Sequence, residues 1–157
     1  MAKFSTKEQK AALAKARERL KSSGTAKQMG FEIAEFARGR VVLRMKVKQH
    51  HKQALGVVHG GVLAALADTA GGLASYTAAT NSRVVTIEMK INYLEGVPHG
   101  TVTADARVVR IGKHIAVVDC DLRDDRRLVA KALMSFYVGP FSDPLNEKTS
   151  EHSKKRS

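Results

Sequence analysis

His59-Gly60-Gly61 opens a run of small and apolar residues that continues to Ala79 and carries one acid, Asp68, near its middle. An acid in an otherwise oily helix is costly unless it is partnered or used. A helix start offers free backbone N–H groups and partial positive charge. Glycine there places no side chain between those groups and a ligand. The Gly60 and Gly61 N–H groups therefore suit a carbonyl oxygen that gains negative charge in acyl transfer, and Asp68 suits a base or nucleophile. Each residue also has a plainer reading. Small residues ease helix packing, and a helix acid can be capped by Thr69 or partly solvated.

Spacing adds a constraint. Asp68 lies eight residues beyond Gly60, about 12 Å along a helix axis. One carbonyl cannot be held at Gly60 and attacked by Asp68 of the same helix. If both act, they come from two copies of the chain, and the site lies at a subunit interface.

Two further polar residues could join them. Gln53, in the loop feeding the helix, could present an amide to a carbonyl or water, or be an ordinary loop residue. Thr86, on the strand face opposite Val85 and Ile87, could orient a water beside the acid, though most strand threonines only fit the sheet.

Other chemistries find little support. Gly72-Leu73-Ala74-Ser75-Tyr76 lacks the second glycine of a nucleophile elbow, and no phosphate-binding loop is present. His50, His51, His59 and His99 lack metal-ligand spacing, so no metal is expected. The single Cys120, in a strand-like run, reads as a small buried side chain.

The net charge is +12, and half of it sits on residues 1–27, where eight Lys/Arg face only Glu8 and Glu18. Such charge attracts polyanionic ligands. Aromatic residues are only 5% with no Trp, so a nucleic-acid partner is not expected. Residues 60–79 approach membrane-spanning length, but Ala, Gly and Asp68 make a helix buried in protein the better reading. The first ten residues contain no apolar signal segment, so a cytoplasmic location is expected.

The positioning elements follow from pattern. Ser5 and Glu8 form a capping box for a surface helix over 6–21, ending near Ser22-Ser23-Gly24. Strands are expected at 31–36 and 40–48, then a loop over 49–55 and the long helix. Four runs make the remaining strands: 83–93, with Val85, Ile87, Met89, Ile91 and Tyr93 on one face, then 101–110, 114–123 and 128–138. A helix apolar on all sides must be buried on most of its circumference. The simplest answer is an α+β domain, one antiparallel sheet curled around the long helix, over 28–140. A basic helical extension (1–27) precedes it and a mobile polar tail (141–157) follows. The free sheet edges favour pairing with a second copy.

The run 53–61 with its His59-Gly60-Gly61, followed by Asp68, residues 88–93 and Gly112-Lys113, resembles hotdog-fold acyl-CoA thioesterases of the PaaI (phenylacetate-pathway) type over about residues 28–139. The resemblance implies a hotdog fold, pairing into homodimers or homotetramers, and hydrolysis of an acyl-CoA thioester without metal or cofactor. It implies that Gly60 polarises the thioester carbonyl, with Gly61 beside it. Asp68 of the opposite subunit would be nucleophile or general base. Gln53 would bind at the carbonyl, Thr86 would place water, His59 would shape the helix entry, and Lys113 would meet CoA phosphate. Gln stands at 53 where Asn is commoner, and Thr at 86 where Ser is commoner. A hotdog protein that binds acyl-CoA without cleaving it is the alternative.

Overall fold

A computed structural model describes residues 5–79, 82–125 and 127–140, and the backbone alone of Thr6. The elements run α1 (Thr6–Ser22), α2 (Gly24–Met29), β1 (Phe31–Ala37), β2 (Arg40–Lys46), a 3-10 turn (Gln49–His51), α3 (Gly60–Ala78), β3 (Arg83–Tyr93), β4 (Thr101–Ile111), β5 (Ile115–Asp124) and β6 (Arg127–Gly139). The expected tail over 141–157 lies outside the described residues.

All six strands form one antiparallel sheet in the order β1-β2-β4-β5-β6-β3. This sheet curls around α3, the hotdog arrangement implied by the sequence. The inward positions of its middle strands include six small residues: Ala104 and Ala106 on β4, Ala116 and Cys120 on β5, Ala130 and Ala132 on β6, all essentially inaccessible to solvent. They meet an equally small-sided helix, which lets sheet and helix approach closely. Gly71 marks the tightest point, where a Cβ would stand 2.7 Å from Met134 Cε and 2.9 Å from the Phe136 ring. Cys120 sits in this layer, and burial pushes its thiol up to about 12.

Both ends of α3 are tied to the sheet. At the C-terminal end, Gly39 N–H donates to Thr77 Oγ1 (2.7 Å). At the N-terminal end, the Tyr93 hydroxyl donates to the Gly60 carbonyl (3.0 Å).

Two expectations need correction. A second short helix, α2, follows α1. Ser23 caps it by accepting from Ala26 N–H, and Gly30 ends it in the left-handed region at φ 66°. The alternation of β3 is also interrupted. Its pairing with β6 slips between Thr86 and Glu88, a β-bulge at Ile87. Val84 packs on the core before the bulge, and Met89 and Ile91 after it, while Val85 and Ile87 face outward at 45% and 55% exposure. One inserted residue exchanges the two faces of a strand.

α1 is capped as expected, with Ser5 N–H donating to Glu8 Oε2 (2.9 Å) and Ser5 Oγ accepting from Glu8 N–H. It is largely exposed, but Ala16 is buried. Gln9 Nε2 donates to the Phe36 carbonyl on β1 (3.3 Å), and Arg19 reaches Tyr76 on α3. The helix therefore spans from the β1 edge to α3.

Candidate active site

The sequence-predicted residues fall into two groups on α3. The first surrounds the helix start. His59 is the N-cap, and its Nδ1 accepts from Gly61 N–H at 2.9 Å. The N–H groups of Val62 and Leu63 donate to the His59 carbonyl. Among the described residues Gly60 N–H has no acceptor, so it is the donor this helix start leaves available. Gly61, expected beside it as a second donor, is committed to His59 instead. A Cβ on Gly60 would lie 3.1 Å from the Tyr93 ring, so glycine fits the narrow space beneath that tyrosine.

The loop before α3 is held by its own backbone. Lys52 bridges Val58, Gln53 N–H donates to the Val57 carbonyl (2.9 Å), and Val58 N–H donates to the Val97 carbonyl (2.8 Å). Gln53 is half-buried in this loop. The loop is anchored by His51, which is fully buried. Its Nδ1 accepts from Lys48 N–H (3.1 Å), and its carbonyl accepts from His59 N–H (2.8 Å). Burial, reinforced by the positive charge of His50 and Lys48, lowers its pKa below the usual histidine range against a weaker opposing pull from the Met29 carbonyl.

The second group lies two turns along the helix. Gly61, Ala64, Ala65, Asp68, Thr69 and Gly72 form the stripe of α3 that the sheet does not bury. Asp68 is half-buried on this stripe, and its Oδ1 accepts from Thr86 Oγ1 at 2.7 Å. The bulge at Ile87 lies immediately after Thr86. A cavity of about 320 Å³ opens beside this pair, bounded also by Leu73, Tyr76 and Phe136.

Lys113 stands exposed on the β4–β5 turn and does not line this cavity. Among the described residues no three His, Cys, Asp or Glu side chains converge as a metal site, and no helix is long and apolar enough to cross a membrane. Sequence reasoning missed Tyr93 and His51 as organisers of the helix start. Tyr93 had a visible signal as the last residue of an alternating strand, whereas the burial of His51 depends on contacts distant in sequence.

The thioesterase superfamily pattern matches residues 55–131, which hold the start of α3, Asp68 and Thr86. The solved structure of a thioesterase from Haemophilus influenzae is 30% identical, covering 80% of this chain and 90% of that one, with a TM-score of 0.75. This chain belongs to the thioesterase superfamily. Human acyl-coenzyme A thioesterase 13 is 28% identical over 110 residues, 68% of this chain and 79% of that protein. The E. coli PaaI protein of the phenylacetic acid degradation operon superposes with a TM-score of 0.78 at 26% identity, covering 83% of this chain and 95% of that one. As a superfamily member, the chain is a thioester hydrolase, and Asp68 and the free Gly60 N–H are its candidate working groups.

Proposed function

We propose that paired copies of this chain hydrolyse acyl-CoA thioesters to free acid and CoA, each site combining Gly60 of one copy with Asp68 of the other. The observation that carries this reading is the division of α3 into two half-sites. One has a free N–H at the helix start, and the other, about 12 Å away, has a hydroxyl-bonded carboxylate. The names of related proteins, among them an acyl-coenzyme A thioesterase, support CoA as the leaving group.

In this mechanism the Gly60 N–H polarises the thioester carbonyl, aided by the α3 dipole. Asp68 either takes the proton of a water that adds to the carbon, or adds to the carbon itself and forms an anhydride that water hydrolyses after CoA has left, which releases the acid and restores the carboxylate. The C–S bond then breaks, and CoA leaves as its thiol once protonated. Thr86 fixes one carboxylate oxygen, Gln53 offers its side-chain amide to the substrate carbonyl, and His59 shapes the helix entry. No metal or cofactor takes part. The second copy joins along β3, a sheet edge with outward-facing Val85 and Ile87. Two such pairs can associate as a tetramer. The positive charge of the body, with Lys113 at an exposed turn, draws in the CoA phosphates. The reaction is assigned to the cytoplasm.

Mixed assemblies test this. Gly60→Pro removes the N–H at the first helical position, whose backbone accepts proline once the Tyr93 ring, 3.1 Å from the new Cβ, shifts by a few tenths of an ångström, and Asp68→Asn removes the carboxylate. Each variant alone is inactive in thiol release from acyl-CoA. An equal mixture, unfolded and refolded together, regains about a quarter of wild-type turnover, because half the pairs are mixed and each holds one intact site. No regain, or full activity of Asp68→Asn alone, overturns the reading.

A further inference from the structure

Several cations of the sheet are matched by carboxylates: Arg40, Arg44, Arg107 and Lys131 each hold one or two. On α1 the cations are left unmatched. Lys7, Lys10, Arg17 and Lys21 are exposed and form no ion pair among the described residues. With Ala14 they fall at i, i+3, i+7, i+10 and i+14, so they share one face of the helix. That face lies opposite Ala16 and Leu20, which pack on the core. The stripe runs about 21 Å from Lys7 to Lys21. Of the acids on α1, Glu8 is bonded to Ser5 away from the stripe, and Glu18 stands at its margin. Lys7 with Lys10, and Arg17 with Lys21, are like-charge neighbours that oppose helix formation. An external anion removes that cost.

We propose that this face of α1 docks the protein onto an anionic membrane surface, with its cations among acidic phospholipid headgroups. Because the apolar side of α1 is turned inward, the contact is electrostatic and superficial, without insertion. Three of the four cations are lysine, a compact hydrated charge that suits a fluid array of phosphates better than fixed bidentate contact. The stripe offers no Asn, Gln, Ser or Thr to read a base edge and no aromatic ring to stack on a base, which disfavours nucleic acid. The last turn of α1 also borders the cavity beside Asp68. Docking therefore holds that cavity about 10 Å, one helix diameter, from the headgroups. The attachment stands independently of the hydrolytic reading of the cavity.

The experiment sediments full-length protein with sucrose-loaded vesicles of phosphatidylcholine alone or mixed about two to one with phosphatidylglycerol. Wild type is expected to bind the mixed vesicles and not the neutral ones. It should be released as the ionic strength rises from about 0.05 to about 0.5 M. Each Lys or Arg near such a surface raises partitioning about fivefold. Combining Lys10→Gln, Arg17→Gln and Lys21→Gln, which keeps good helix formers, should lower binding about a hundredfold. Combining Lys46→Gln, Lys48→Gln and Arg110→Gln removes the same net charge from other exposed positions, and binding should stay within about fivefold of wild type. Equal losses in the two variants, equal binding to both vesicle types, or no binding to either overturns the proposal. So does retention by a random-sequence DNA duplex where the mixed vesicles retain nothing, which would assign the stripe to nucleic acid.

Discussion

Thr86 donates its hydroxyl to Oδ1 of Asp68 at 2.7 Å, joining an outer strand of the sheet to the helix it encloses. The bond leaves Oδ2 without a protein donor among the described residues, and Asp68 lines the cavity beside α3. A carboxylate held by one oxygen and open at the other is oriented without being neutralised. That arrangement suits a base or nucleophile better than a purely structural acid.

Replacing Asp68 with Asn is therefore expected to lower kcat for thioester cleavage by about 10²–10⁴-fold. The change in unfolding free energy should stay within about 1 kcal/mol, because the side chain is half-exposed and its only hydrogen-bond partner among the described residues is an exposed hydroxyl. Thiol release and chemical denaturation on the same preparation check both parts.

Thr86 separates orientation from charge. Thr86→Val keeps the shape but removes the donor, and kcat should fall roughly ten- to hundredfold as the carboxylate loses its fixed rotamer. Thr86→Ser keeps the hydroxyl and should remain within a few-fold of wild type. Steady-state kinetics that show equal losses for both would point to packing instead of the hydrogen bond.

Much of this was readable from residue order. The capping box of α1, the length of α3, the inward alternation of β4 to β6 and the distance between Gly60 and Asp68 all follow from local periodicity, which the chain carries in itself. The rest depends on partners remote in sequence. The bulge at Ile87 exists only in the pairing with β6, so the outward turn of Val85 and Ile87 could not be seen in an apparently regular strand. Gly60 and Gly61 look equivalent in sequence. Their difference arises because the His59 ring folds back onto Gly61 alone. Arg19 read as one of many surface charges until the fold brought it onto Tyr76.

Tyr93→Phe tests the clamp on the helix start. The lost hydrogen bond to the Gly60 carbonyl is partly exposed, so the expected cost in stability is about 0.5–1.5 kcal/mol. A larger relative effect is expected on KM and kcat for the thioester, because Gly60 is the donor the tyrosine steadies. Comparing thermal unfolding with kinetics distinguishes a loosened site from a destabilised domain.

Gly71→Ala tests the close contact of helix and sheet. The added methyl meets Met134 Cε at 2.7 Å and the Phe136 ring at 2.9 Å, so the core must shift. Overpacking of this kind costs about 1–3 kcal/mol, seen as a lower denaturation midpoint. Pairing it with Met134→Ala, which vacates the nearer contact, should recover part of what Gly71→Ala alone loses relative to Met134→Ala added separately.

His51 gives the loop before α3 a dependence on pH. Its folded pKa lies below the ordinary value because burial, with His50 and Lys48 nearby, disfavours the charged ring. Below about pH 6.5 the unfolded chain takes up a proton that the folded chain resists. The contribution is thus fully present above the unfolded pKa and is lost as the pH falls from there towards the lower folded value, with a slope of at most about 1.4 kcal/mol per pH unit. Protonation also strains the loop whose His51 carbonyl holds the His59 N–H, so the helix start should loosen over the same range. Denaturation curves at pH 7.5 and 5.5 are expected to show a smaller loss of stability in His51→Gln than in wild type, even though the variant is less stable at both. Equal losses in the two proteins would mean that His51 does not titrate on unfolding and that other groups set the acid sensitivity of this domain.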